Sequence, residues 1–176
     1  EGGTTERVYG EEIDFRLLIS AFQYGVWNND KNEFDCKSII VRSLFDEEAI
    51  DTAGTLKCGK VSAKEVDSLK AAGLWTHEHE AANKKAKCKR HWYGLVSFEG
   101  ATSDGDKRTI TNLPVAWQPS NGNWQVADAA IKALTKQGNT LGSHAMHITL
   151  KHEVNGSVNY FLIDDLDIDF SKTLPV

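Results

Sequence analysis

The sequence predicts an α+β fold built on antiparallel hairpins, a sandwich-like sheet with two or three short helices. Three observations carry this. Apolar and polar residues alternate with period two over Ile13–Leu17 and again over Met146–Leu150, the mark of half-buried strands. Turn-forming clusters separate paired strand-like runs, as at Ser103-Asp104-Gly105-Asp106 and Asn155-Gly156. Helical patterns are few, short and not interleaved one-for-one with strands, which argues against a βαβ array.

Taken in order, residues 1–6 look like a frayed terminus. Ile13, Phe15 and Leu17 alternate with Asp14 and Arg16, and Trp27-Asn28-Asn29-Asp30-Lys31-Asn32 is a dense polar turn. Phe34–Phe45 returns to strand character, so a hairpin is expected across residues 13–45. A helix over 13–25 is the competing reading, because Phe15, Leu18, Ile19 and Phe22 also share a helical face. Asp46–Ala53 reads as a short helix with acids at its start. Ser62-Ala63-Lys64-Glu65 is a capping box, with Gly73 as the left-handed stop and Val66, Leu69 and Ala72 as the apolar stripe between them. Thr76–Lys89 is polar, a loop or an exposed helical extension. His91–Phe98 and Thr109–Trp117 form the next strand pair, and Pro114 places the second of them at an edge. Pro119-Ser120-Asn121-Gly122 is a turn, Val126–Lys136 a helix closed by Gly138, and Tyr160–Phe170 the last strand.

Length bounds the rest. At 176 residues the chain is expected to be one globular domain, with a weaker boundary near residues 84–90. Hydrophobic residues at 40% and charged residues at 26% exclude a disordered chain. No apolar run approaches the roughly 20 residues of a membrane span. A net charge of −5 makes non-specific attraction to nucleic acid or anionic lipid an exception to be argued locally. No basic segment followed by an apolar stretch precedes the fold, and a start at Glu1-Gly2-Gly3 fits processing and trimming equally. Cys36, Cys58 and Cys88 allow one disulfide and one thiol, or three thiols. Cys36–Cys58 is the favoured pair because it closes the shorter loop. Asn155-Gly156-Ser157 is formally a glycosylation acceptor and reads better as a hairpin turn.

Four groups of residues could carry chemistry. In Asp164-Asp165-Leu166-Asp167-Ile168-Asp169, a strand would project Asp165, Asp167 and Asp169 to one side. Their repulsion is small on a solvated edge and favourable if a calcium ion collects the oxygens, with Glu11, Glu12 or Asp14 as further ligands. Trp27, Trp117 and Trp124 lie next to turn residues and could serve as flat platforms. His77, His79, Cys88 and His91 are metal-ligand types at a spacing that fits no zinc finger or ribbon. Lys84, Lys85, Lys87, Lys89, Arg90 and Trp92 form a basic run ending in aromatics, which could sit on phosphates and stack on bases. Neither a G-x-S-x-G elbow nor a glycine-rich phosphate loop is present, and no catalytic pair can be assembled.

Two resemblances follow from these residues. Tyr160–Ile168, with its Asp-Asp pair and alternating apolar residues, resembles the final strand of jelly-roll carbohydrate-binding modules over about a dozen positions. That likeness implies sugar binding on exposed aromatics and a structural calcium. Val66–Trp75, ending in Gly-Leu-Trp, resembles the recognition-helix end of winged-helix modules in phage replication proteins, with the basic-aromatic run as the wing. The first expectation is therefore a secreted, non-catalytic, carbohydrate-binding domain stabilised by calcium. A nucleic-acid-binding protein using residues 62–98, a self-assembling coat or filament subunit, and an enzyme with a metal or histidine site are the alternatives.

Overall fold

The structure, a computed structural model, describes residues 6–43, 49–51, 54, 57–61, 63–119, 122–156 and 158–175. Ser62 of the expected capping box, Ser120-Asn121 of the expected turn and Ser157 of the glycosylation motif lie outside the described residues, as do residues 1–5 of the expected frayed terminus.

The fold is α+β and mostly antiparallel sheet. Its strands are β1 (Val8–Tyr9), β2 (Glu12–Asn28), β3 (Glu33–Lys37), β4 (Lys87–Thr102), β5 (Lys107–Trp117), β6 (Met146–Asn155) and β7 (Val158–Ile168). Its helices are α1 (Ala63–Ala71), α2 (His77–Lys85) and α3 (Asn123–Lys136), with a 3₁₀ turn at Lys57–Gly59. The sheet order is β1-β4-β2-β6-β7, with β3 also on β2 and β5 also on β4. The chain divides into two compact units, one of residues 1–19 and 92–176, the other of residues 20–91.

In the first unit, α3 buries Ala127, Ala130 and Leu134 at helical spacing. They join Phe15, Leu17, Trp92, Val96, Met146, Ile148, Ile163 and Ile168 in one core. Burying each large apolar side chain stabilises the unit by about 1.5–3 kcal/mol. The β6–β7 hairpin runs in register from Asn155↔Val158 to Met146↔Ile168, with an irregularity beside Leu150. Pro114 stands opposite Leu95 on β5, whose pairing among the described residues is with β4 alone. That is where a residue without an N–H is tolerated.

Among the described residues of the second unit, the buried apolar ones are Ala21, Phe22, Tyr24, Val41, Ala49, Cys58 and Ala86. Residues 13–25 are strand, not helix, and the β2–β3 hairpin turns where the polar cluster stands. Asn28 Oδ1 accepts from the Asp30 and Lys31 N–H groups at 3.0 and 3.1 Å and closes that turn. The helix expected over 46–53 is corrected: Asp51 bridges Ser38, and Ile50 accepts from the Ile39 N–H at 2.8 Å. At residues 49–51 the chain pairs along a strand edge instead. The remainder of 46–53 lies outside the described residues. α1 ends as expected: Leu74 N–H reaches Leu69 C=O and Gly73 N–H reaches Lys70 C=O, with Gly73 at φ +69°. Thr76–Lys89 resolves into α2, capped reciprocally by Thr76 and His79, followed by the start of β4.

Candidate binding face

The arrangement with most chemical character lies in the second unit, on β2, β3 and the first residues of β4. Trp27 is opposite Phe34 across the hairpin, and a register shift beside Trp27 brings the two rings edge-to-face at 4.8 Å. Trp27 keeps 45% of its surface exposed. Two ammonium groups stand over the Phe34 ring, Lys37 Nζ at 4.3 Å and Lys89 Nζ at 4.7 Å from its centroid. The ring's negative face offsets part of the repulsion between them.

Neither Lys37 nor Lys89 forms an ion pair with a described residue. The nearest acid in sequence, Asp35, is engaged elsewhere, accepting from the Asn28 amide at 3.0 and 3.2 Å and pairing with Lys31 at 3.8 Å. Burial pushes the His91 imidazole below the ordinary value, and the positive charges of Lys89 and Lys37 push it the same way. Charge is also distributed unevenly along the chain. The second unit holds twelve Lys/Arg against eleven Asp/Glu, and the first holds eight against fourteen.

A disulfide lies beside this face. Cys36, one residue from Lys37, is bonded to Cys58 at an S–S distance of 2.01 Å, the pairing favoured by loop length. Cys88 is free, and burial raises its thiol to about 11. Burial likewise raises the adjacent Tyr24 phenol to about 12. Both groups stay protonated at neutral pH, so this pair offers no nucleophile.

The residues singled out in the sequence are dispersed. Of the basic run, Lys84 pairs with Glu80 at 3.0 Å at the end of α2, and Lys85 is exposed beside it. Lys87 and Lys89 are exposed on β4. Arg90 is buried with its guanidinium 5.0 Å from the Phe22 centroid, and Trp92 is wholly buried in the core of the first unit. Alternation along β4 therefore divides the run between solvent and interior. His79 caps α2 and stacks on Trp75, whose indole N–H donates to Glu80 at 2.9 Å.

In the first unit, Trp117 is half-buried and edge-on to Phe15 and Trp92. It lines an apolar cleft of about 260 Å³ with Ile13, Val96, Val115 and Leu150. Trp124 is half-buried in the first turn of α3. Asp165 and Asp167 are exposed on β7, each accepting from the next residue's N–H. Asp169 is corrected from the strand to the turn after it. Ser171 and Lys172 engage its carboxylate there and hold it well below the usual range, at about 2. Across the sheet, Asp14, His147 and Asp167 stand in one row, and Glu12, Thr149 and Asp165 in the next.

Phe34 and Lys37 were missed in the sequence. The available signal was their place on the return strand of the hairpin that carries Trp27. Comparison with family models, with curated proteins and with solved structures finds no match to this chain.

Proposed function

We propose that this chain is a non-catalytic binding domain whose second unit binds an acidic carbohydrate on Trp27, Phe34, Lys37 and Lys89. The observation that carries the reading is the pair of lysines gathered on the Phe34 ring with no ion pair to a described residue, beside a half-exposed tryptophan. A flat indole stacks on the apolar face of a sugar ring, and two neighbouring ammonium groups favour a carboxylate or sulfate on it. The Cys36–Cys58 disulfide favours a secreted setting, because such bonds persist in oxidising compartments. The same lysines would also attract phosphates, so single-stranded nucleic acid is the competitor to be tested.

The test is calorimetric titration with a uronate-bearing oligosaccharide, its neutral counterpart and a single-stranded oligonucleotide of equal charge. Binding to the acidic sugar alone, weakened by Trp27→Ala, is the expected result. Tighter binding to the oligonucleotide moves the assignment to nucleic acid, and binding to none of the three removes it.

A further inference from the structure

We propose that the reduced form of this protein holds a zinc ion on Cys36, Cys58 and Asp51, so that the two sulfurs serve as a disulfide in one redox state and as metal ligands in the other. The proposal rests on a different set of atoms from the binding face and does not depend on it.

The geometry is set largely by backbone. Cys36 lies on β3, and two residues on, Ser38 bridges Asp51, which delivers that carboxylate to the end of β3. The Lys57 N–H donates to Ala49 C=O at 2.7 Å, which draws the Cys58 turn alongside the same segment. Ligand atoms of Cys36, Asp51 and Cys58 consequently all lie within 4.8 Å of one another, the one such trio of His, Cys, Asp or Glu among the described residues. Asp51 Oδ2 is 3.2 Å from Cys36 Sγ. Asp51 is only 8% exposed and Cys58 9%, while Cys36 is half-buried, so two of the three groups are shielded and the third leaves a way in for an ion.

Two thiolates and a carboxylate suit zinc rather than calcium or magnesium, which take oxygen ligands. The adjustment is small. Two Zn–S bonds of about 2.3 Å at a tetrahedral angle place the sulfurs about 3.8 Å apart. The Cα atoms, at 5.8 Å, already permit both arrangements.

The turn also needs a staple. Lys57 and Cys58 both occupy the left-handed region, at φ +49° and +55°, which side-chain-bearing residues adopt at a cost of about 1–2 kcal/mol each. Such a turn persists only where its surroundings hold it. The disulfide does so in the oxidised chain, and a metal bound to Cys58 does so in the reduced one.

The chemistry balances. A dithiol reductant supplies two electrons and two protons. The S–S bond breaks, Cys36 and Cys58 become thiols, and the dithiol closes to its own disulfide. Zinc then displaces both thiol protons to solvent and binds two thiolates and the Asp51 carboxylate, leaving a fourth position for water.

The experiment uses the full chain carrying Cys88→Ser, reduced with a dithiol and desalted without oxygen, then given zinc alone. Native mass spectrometry should show one zinc per reduced chain and none on these ligands in the oxidised chain. Both thiols should become protected from alkylation. Cobalt in place of zinc should give the thiolate charge-transfer and strong visible bands of a tetrahedral site. Asp51→Asn should weaken zinc binding about ten-fold or more relative to the parent. A reduced chain that takes up no zinc at equimolar micromolar concentration overturns the proposal. So does zinc uptake that leaves both thiols open to alkylation, or an Asp51→Asn chain that binds as tightly as its parent. If Asp51→Asn fails to fold, thiol protection and the cobalt spectrum of the parent decide the matter.

Discussion

The Phe34 ring lies across Gly25 on the neighbouring strand, where a β-carbon would stand 2.9 Å from the ring edge. The absence of a side chain at Gly25 is what lets the ring lie flat enough to receive Lys37 and Lys89. Gly25→Ala is therefore expected to displace Phe34 and to lower stability by about 1–3 kcal/mol, in line with other overpacked sites. Urea unfolding measures the loss. Binding of the acidic oligosaccharide should weaken with it, and unchanged affinity in a destabilised Gly25→Ala protein would disconnect Phe34 from the binding face.

The two lysines make a separable prediction. Lys37→Gln and Lys89→Gln each remove one ammonium group from a site with no acidic partner among the described residues. Affinity for an acidic ligand should fall, and the dependence of log Kd on log salt should become shallower by roughly one charge per substitution. Stability should fall by no more than about 1 kcal/mol, the worth of one exposed cation–π contact. Salt slopes identical to that of the parent would show that neither ammonium meets the ligand.

His147 gives the molecule a pH dependence. Its Nδ1 lies 3.0 Å from Asp14 Oδ1, and this hydrogen bond raises the imidazole above its ordinary value, with charge from Asp14, Glu12 and Asp165 adding to it. A folded-state value above the unfolded one means stabilisation that is complete below the unfolded value, about 6.5. It is lost as pH rises through the raised folded value. Asp14→Asn should lower the His147 value in an NMR titration. It should also narrow the difference in melting temperature between pH 5.5 and pH 8.5. Both groups are largely exposed, so the change will be modest. A titration midpoint unmoved by Asp14→Asn contradicts the pairing.

Reduction without metal should weaken the second unit. The Cys36–Cys58 bond spans a sequence separation of 22 residues, for which loop-closure entropy gives about 3 kcal/mol. With chelator present, reduction should lower the unfolding free energy by that order and raise amide exchange within residues 20–91 before the α3–β6–β7 core. Uniform exchange across both units would mean that the bond does not act locally.

Sequence patterning made the α+β class, the three hairpins β2–β3, β4–β5 and β6–β7, the α1 stop at Gly73 and the edge strand at Pro114 legible. Each of these is written in residues close together along the chain. Period-two alternation reports a strand half-buried in a sheet, and glycine or proline reports a backbone geometry that few other residues adopt. Trp27 and Lys89 could likewise be named, as an aromatic beside a turn and a lysine in a basic run. What could not be read was which members of those patterns share a face. Trp92 and Arg90 looked like the end of a basic-aromatic surface, yet the alternation of β4 and the core around Phe15 take them inside. Asp169 looked like a third strand carboxylate, yet β7 stops one residue earlier.

The sequence by itself determined the local elements and the favoured disulfide, because propensity, turn chemistry and loop length act over short stretches of chain. Only the tertiary structure decided that Phe34 and Lys37 of β3 meet Lys89 of β4 beside Trp27, and that Asp51 reaches Cys36 and Cys58. Those meetings depend on strand register and a bulge. A shift of one residue in pairing turns every side chain to the opposite face, and nothing local in the chain encodes which partner lies across the sheet.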